Sequence, residues 1–159
     1  LHKEYRRQRQ MCIRDRIGLL FSGGLDCTVL AALTAQHHAG PIDLINVSFE
    51  NPRAIAAAWA VAEAPVKHDT FPADPYAVPD RVTARESYAQ LAQLYPTHTF
   101  RLVQVNVPYA EYVSCLDTVQ MLMSPQASVM DLSIAAALFF ASRGEGYVDG
   151  VPYLSLIHI

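Results

Sequence analysis

One stretch, Gly18–Thr34, "GLLFSGGLDCTVLAALT", constrains this chain more than any other. An apolar run stops at a polar knot, Ser22-Gly23-Gly24-Leu25-Asp26, and a second apolar run starts directly after it. A short continuous apolar run bounded by glycine is the pattern of a central strand in a parallel sheet, covered on both faces. A strand that feeds a helix through two glycines gathers backbone N–H groups and the positive end of the helix dipole at one point, which suits an anion. Glycine also tolerates positive φ and lets a phosphate oxygen approach the chain. Ser22 adds a hydroxyl donor. Asp26, in the first helical turn, either meets phosphate through Mg2+ or caps the helix. The knot is not a Walker loop, because Gly-Lys-Ser/Thr is absent, and it lacks the third glycine of a dinucleotide fingerprint.

The surrounding pattern places the knot in an α/β fold. Ile17–Phe21 reads as a strand, Asp26–His38 as a helix with Val29, Leu30 and Leu33 on one face, and Ile42–Phe49 as a second strand. Asn51-Pro52 opens an Ala-rich helix to about Ala64, and the prolines at 65, 72, 75 and 79 make an irregular excursion. Arg81–Tyr95 is expected to be helical with Leu91 and Leu94 inward, and Phe100–Val107 a third strand. Tyr109–Met123 and Ala127–Arg143 are expected as helices, the latter buried along "IAAALFFA" and opened by Asp131, with Gly144-Glu145-Gly146 ending it. Strand–helix alternation of this kind predicts a doubly wound parallel sheet.

Two end peptides, Met11–Arg16 and Leu154–Ile159, share a nucleotide word. ATGTGTATAAGAGACAG translates as Met-Cys-Ile-Arg-Asp, and its reverse complement CTGTCTCTTATACACAT as Leu-Ser-Leu-Ile-His. The word resembles a transposon end used in sequencing libraries. Residues 1–16 are therefore expected to be adaptor and chimeric leader, 154–159 adaptor tail, and 17–153 the protein body. Of 12 Lys+Arg and 15 Asp+Glu in the chain, the leader holds six and two, so the body keeps 6 and 13, a net charge of −7. An acidic body excludes sequence-independent nucleic-acid binding, which needs clustered Lys and Arg. No apolar run reaches the ~20 residues of a membrane span. Cys27 and Cys115 follow no disulfide or metal spacing, which fits a reducing, cytoplasmic setting.

"SGGLDCT" resembles the PP-loop of the ATP pyrophosphatases, Ser-Gly-Gly-x-Asp-Ser/Thr, whose members cleave ATP between the α- and β-phosphates. "PIDLINVSF", "VPDRVTAR", "VQVNV" and "FFASRG" are similar to the synthetase domain of glutamine-dependent asparagine synthetases, in the branch of asparagine synthetase domain-containing proteins. The resemblance spans most of Ile17–Gly146 and implies the N-terminal part of an adenine-nucleotide α-hydrolase-like fold. It implies that Ser22, Gly23, Gly24 and Asp26 hold ATP and Mg2+, with Cys27 in the loop's Ser/Thr position, Phe21 at the adenosine and Phe49 lining the adenine slot. Core packing is the competing reading for both phenylalanines. The implied reaction is adenylation of aspartate followed by attack of ammonia from a glutaminase domain expected in cis upstream of residue 17.

Two departures bear on that reaction. Cys27 replaces a hydroxyl donor with a weak thiol. "VMDLSIA" stands where synthetases carry "TTIRAS", so Ser133 takes the position of an arginine able to pair with a carboxylate. The family's second glycine–acid loop, a metal site, finds no counterpart in these residues. A non-catalytic interaction module and another PP-loop ligase are the alternatives, the acidic body fitting a tRNA-modifying ligase poorly. His37-His38 suit a helix C-terminus better than a metal, since adjacent helical residues diverge. Arg81 and Arg85, one turn apart, are expected to form either a small anion patch or a solvated helix face with Glu86.

Overall fold

The computed structural model describes residues 17–53, 74–126 and 128–154. The expected Ala-rich helix after Pro52 and most of the expected proline-rich excursion lie outside them. Five strands, β1 (Ile17–Leu20), β2 (Ile42–Phe49), β3 (Phe100–Val107), β4 (Glu145–Val148) and β5 (Val151–Leu154), form one open sheet in the order β1-β2-β3-β4-β5. The first three are parallel, with Ile17 opposite Ile42 and Ile42 opposite Phe100. β4 runs antiparallel to β3, and β5 antiparallel to β4, so the sheet is parallel only over its first part. Asp149 and Gly150, at φ 51 and 79, make the tight β4–β5 turn, and such Asp-Gly pairs match the twist of a hairpin.

Among the described residues four helices cover both faces: α1 (Leu25–His37), α2 (Pro79–Leu94), α3 (Tyr109–Met123) and α4 (Val129–Ser142). β2 lies between β1 and β3, and Ile42 through Asn46 are buried without interruption, as expected for a parallel strand covered on two faces. Its side chains alternate between two cores. Ile42 and Leu44 pack with Ala31 of α1, Ala84 and Leu91 of α2, Phe21, Phe100 and Leu102. Ile45, on the opposite face, packs with Val103, Val105, Val107 and the α4 residues Phe140 and Ala141.

Pro79 opens α2, where its missing N–H costs nothing, so the helix begins two residues before the expected Arg81. Ser128 caps α4 by accepting the Asp131 N–H at 3.2 Å, which places Asp131 inside the first turn rather than at the cap.

Burial departs from the sequence pattern in three places. α1 meets the sheet through Ala31, Ala32, Ala35 and Cys27, leaving Val29, Leu30 and Leu33 46–51% exposed. In a helix apolar on most sides, periodicity does not single out the packing face, and small residues win the close approach. Leu94 is 73% exposed because α2 packs through Ala84, Tyr88 and Leu91, and the helix end turns away from that face. α4 buries only Ala136, Phe140 and Ala141, while Ile134 is 59% and Leu138 49% exposed. No helix among the described residues is long and apolar enough to cross a membrane.

Candidate functional site

The loop between β1 and α1 sits at the carboxyl ends of the parallel strands, where open α/β sheets place their ligand sites. β1 ends at Leu20 opposite Ile45, while β2 continues to Phe49, so the loop begins beside the last half of β2. Phe21 donates its N–H to the Ile45 carbonyl at 2.8 Å and then leaves the sheet. Its ring is 2% exposed within the α1/α2 core, so its side chain packs and its backbone opens the loop.

Gly23 turns the chain at φ +83. A Cβ there would lie 2.4 Å from Ala84 N and 2.5 Å from Thr83 O, both α2 backbone. Glycine is thus required twice, by its dihedral and by the closeness of the helix. Ser87 of α2 donates its hydroxyl to the Gly23 carbonyl at 2.8 Å. Gly24 precedes α1 in extended conformation and supplies no side-chain cap. Thr28 donates both its N–H and its hydroxyl to the Gly24 carbonyl, at 3.1 and 2.8 Å. The amides of Leu25, Asp26 and Cys27 come before that first helical bond, and such amides have no intrahelical acceptor.

Ser22, Gly24 and Asp26 are exposed around this helix end. Ser22 Oγ lies 3.5 Å from the Gly24 N–H and 3.7 Å from Cys27 Sγ, while the Cys27 thiol donates to the Gly24 carbonyl at 3.2 Å. Cys27 therefore turns its one donor back on the loop. No cluster of three or more His, Cys, Asp or Glu side chains able to hold a metal occurs among the described residues. Asp26 is the loop's own carboxylate, and a hard cation held by one carboxylate completes its shell with phosphate oxygens and water.

Below the loop lies a polar network that sequence reasoning missed. Asn46 Nδ2 donates to the Phe21 carbonyl at 2.8 Å, and Asn46 Oδ1 accepts from Arg81 Nε at 2.5 Å. Arg81 is fully buried, and it also donates to Gln104 Oε1 at 2.9 Å and to the Val105 carbonyl at 3.1 Å. This corrects the expectation of a surface patch or a solvated face. Burial pushes its guanidinium down to about 10, with Arg85 adding to the effect and Asp74 opposing it. Arg85 shares Gln104 Oε1 at 3.2 Å and stands 3.7 Å from Asp74 at the surface. The available signal was "PDR" beside a strand carrying Asn46 and Ser48, polar side chains in an otherwise apolar run.

A cleft of about 350 Å³ opens at the end of β2, lined by Phe49, Glu50, Tyr109, Tyr112, Ser133 and Ala136 among others. Phe49 packs edge-on against Tyr112 and Phe140, at 5.2 and 5.9 Å between centroids, so it both packs and lines the cleft. Glu50 accepts the Tyr109 N–H at 2.7 Å, filling the N-terminus of α3 with an internal carboxylate. Ser133 spends its hydroxyl on the Met130 carbonyl at 2.7 Å.

These features define an open α/β protein with a glycine-turned, amide-rich loop at the carboxyl edge of its sheet. The asparagine synthase family profile matches residues 7–98. The chain belongs to that family. It is 42% identical over 85% of its length to asparagine synthetase domain-containing protein YML096W of Saccharomyces cerevisiae, covering 24% of that protein. It is 32% identical to asparagine synthetase domain-containing protein 1 of Gallus gallus, covering 86% of this chain and 25% of that protein. The human protein of the same name is also 32% identical, over 85% of this chain and 24% of its own length. The chain thus spans about a quarter of the length of these relatives. No solved structure matches it.

Proposed function

We propose that the Ser22–Cys27 loop binds the polyphosphate of Mg-ATP, and that in the whole protein this site adenylates a carboxylate, aspartate in the parent reaction, for amidation with glutamine-derived ammonia. The observation that carries the reading is the loop itself. Gly23, held at φ +83 against α2, presents Ser22, Gly24, Asp26 and the first amides of α1 to solvent at the sheet's carboxyl edge. Ser22 and the backbone of Gly23 and Gly24 would hold phosphate oxygens, and Asp26 would hold Mg2+, which neutralises phosphate charge when bound. Phe49 would place the base in the cleft at the end of β2, and Phe21 would act through its backbone.

Binding of Mg-ATP to this chain, followed by titration calorimetry, tests the nucleotide reading. Pyrophosphate–ATP isotope exchange in the whole protein tests the ligase. Exchange that depends on aspartate supports it, and ATP binding without exchange on any carboxylate rejects it.

A second reading has its own support: nucleotide binding without turnover. Ser133 lines the cleft with a hydroxyl bonded to its own helix, and Cys27 turns its thiol inward. Neither offers a carboxylate the paired donors that a guanidinium would.

A further inference from the structure

We propose that Arg81 is the loop's hidden cation: a guanidinium sealed in the core whose counter-anion is the polyphosphate bound on the loop above it. The proposal rests on the nucleotide reading of that loop and names what gives it charge selectivity. Every bond Arg81 makes among the described residues goes to a neutral acceptor: Asn46 Oδ1, Gln104 Oε1 and the carbonyls of Asn46 and Val105. Among the described residues no carboxylate bonds it, although the body is acidic. The other guanidinium on this face, Arg85, is half-exposed and faces Asp74 at 3.7 Å. Arg101 and Arg143 also have carboxylate partners, Asp43 and Glu111. Among these four Arg81 is the exception, and it is the one fully buried.

Its position ties this charge to the loop. One side chain, Asn46, touches both the guanidinium and the Phe21 carbonyl where the loop begins. Two residues further along α2, the Thr83 and Ala84 backbone lies against Gly23. A cation without solvent around it is weakly screened, so its field reaches the loop more fully than that of an exposed lysine. A buried charge whose hydrogen bonds all go to neutral groups, with only the half-exposed Asp74 acting on it from a distance, is costly to a resting fold. That cost falls when an anion arrives within its field. The loop's surface offers amides, a hydroxyl and a carboxylate, and Arg81 supplies the positive charge that these lack.

The test is calorimetric titration of the chain with magnesium pyrophosphate and, separately, with adenosine, in the wild type, Arg81→Gln and Gln104→Glu. Arg81→Gln removes the charge and is expected to weaken pyrophosphate binding about tenfold while leaving adenosine within about twofold. Gln104→Glu keeps Arg81 and gives it a carboxylate at the position now 2.9 Å away. It is expected to raise Tm and still weaken pyrophosphate binding, by the charge it cancels. Wild-type pyrophosphate affinity in the folded variants overturns the proposal and leaves the nucleotide reading standing. If Arg81→Gln does not fold, Gln104→Glu decides alone. A wild type that binds neither pyrophosphate nor ATP removes the nucleotide reading, and this proposal with it.

Discussion

Replacing Gly23 by alanine separates the loop's geometry from its chemistry. At φ +83 an L-residue pays about 1–2 kcal/mol for the left-handed conformation. The added methyl would also sit 2.4 Å from Ala84 N and from Thr83 C, which are helix backbone and cannot swing aside as a side chain would. Relieving such an overlap by shifting α2 is an overpacking cost of about 1–3 kcal/mol. The sum, about 2–5 kcal/mol, is a large part of the ~5–15 kcal/mol that holds a domain together. For a chain of this size it corresponds to a Tm lower by roughly 5–20 °C. Gly24→Ala is the internal control: its φ is −65, and its Cβ would meet only Ser22 Oγ at 3.6 Å. Thermal unfolding followed by circular dichroism should show a large loss for Gly23→Ala and little change for Gly24→Ala. Equal Tm values for the two variants would refute both the strain and the contact with α2.

Tyr153→Phe is expected to cost about 1.5–3 kcal/mol, the usual worth of a hydrogen bond to a charged group. Tyr153 donates to Asp43 Oδ2 at 3.0 Å, and that carboxylate is buried beside Arg101 at 3.6 Å. Urea unfolding midpoints at constant m should show the loss; a shift worth under about 0.5 kcal/mol would mean the bond is idle. Burial, with a smaller contribution from Asp149, holds the Tyr88 phenol above 10.0. A raised pKa means the folded state keeps its proton longer than the unfolded state, so this contribution is present below pH 10 and lost as pH climbs beyond it. Stability measured upward from pH 9 should fall less steeply in Tyr88→Phe than in the wild type.

The parallel core was legible because its signals are local. β2 and β3 match the expected Ile42–Phe49 and Phe100–Val107, and the knot at Ser22–Asp26 does join a strand to a helix. Facing was less legible. Leucines at 30 and 33 look inward by composition, yet Ala31 and Ala35 make the approach, because distance to the sheet selects small side chains once most of the helix is apolar. The β4–β5 hairpin carries its signal in Asp149-Gly150 between two short runs, which lies just past the helix stop expected at Gly144–Gly146. Arg81 was the largest miss. An arginine near a helix start is usually solvated, and only the three-dimensional meeting of Asn46, Gln104 and α2 shows that this one is enclosed.

That enclosure bears on why a six-residue loop holds one shape. The loop's short local bonds all fall on the Gly24 carbonyl, from Thr28 and Cys27, while Ser22 Oγ lies 3.5 Å from the Gly24 N–H. The turn at Phe21 and Gly23 is held from outside: Asn46 to the Phe21 carbonyl and Ser87 to the Gly23 carbonyl, both at 2.8 Å, and the α2 backbone against Gly23. Two of these three depend on α2, which lies beyond the proline-rich stretch, and the third on a residue that Arg81 of α2 itself positions. The loop's sequence therefore permits its conformation, and α2 imposes it. A substitution on the buried face of α2 should then disturb the proposed phosphate binding without touching any residue of the knot, while one on the exposed side of α1, at Leu30 or Leu33, should not.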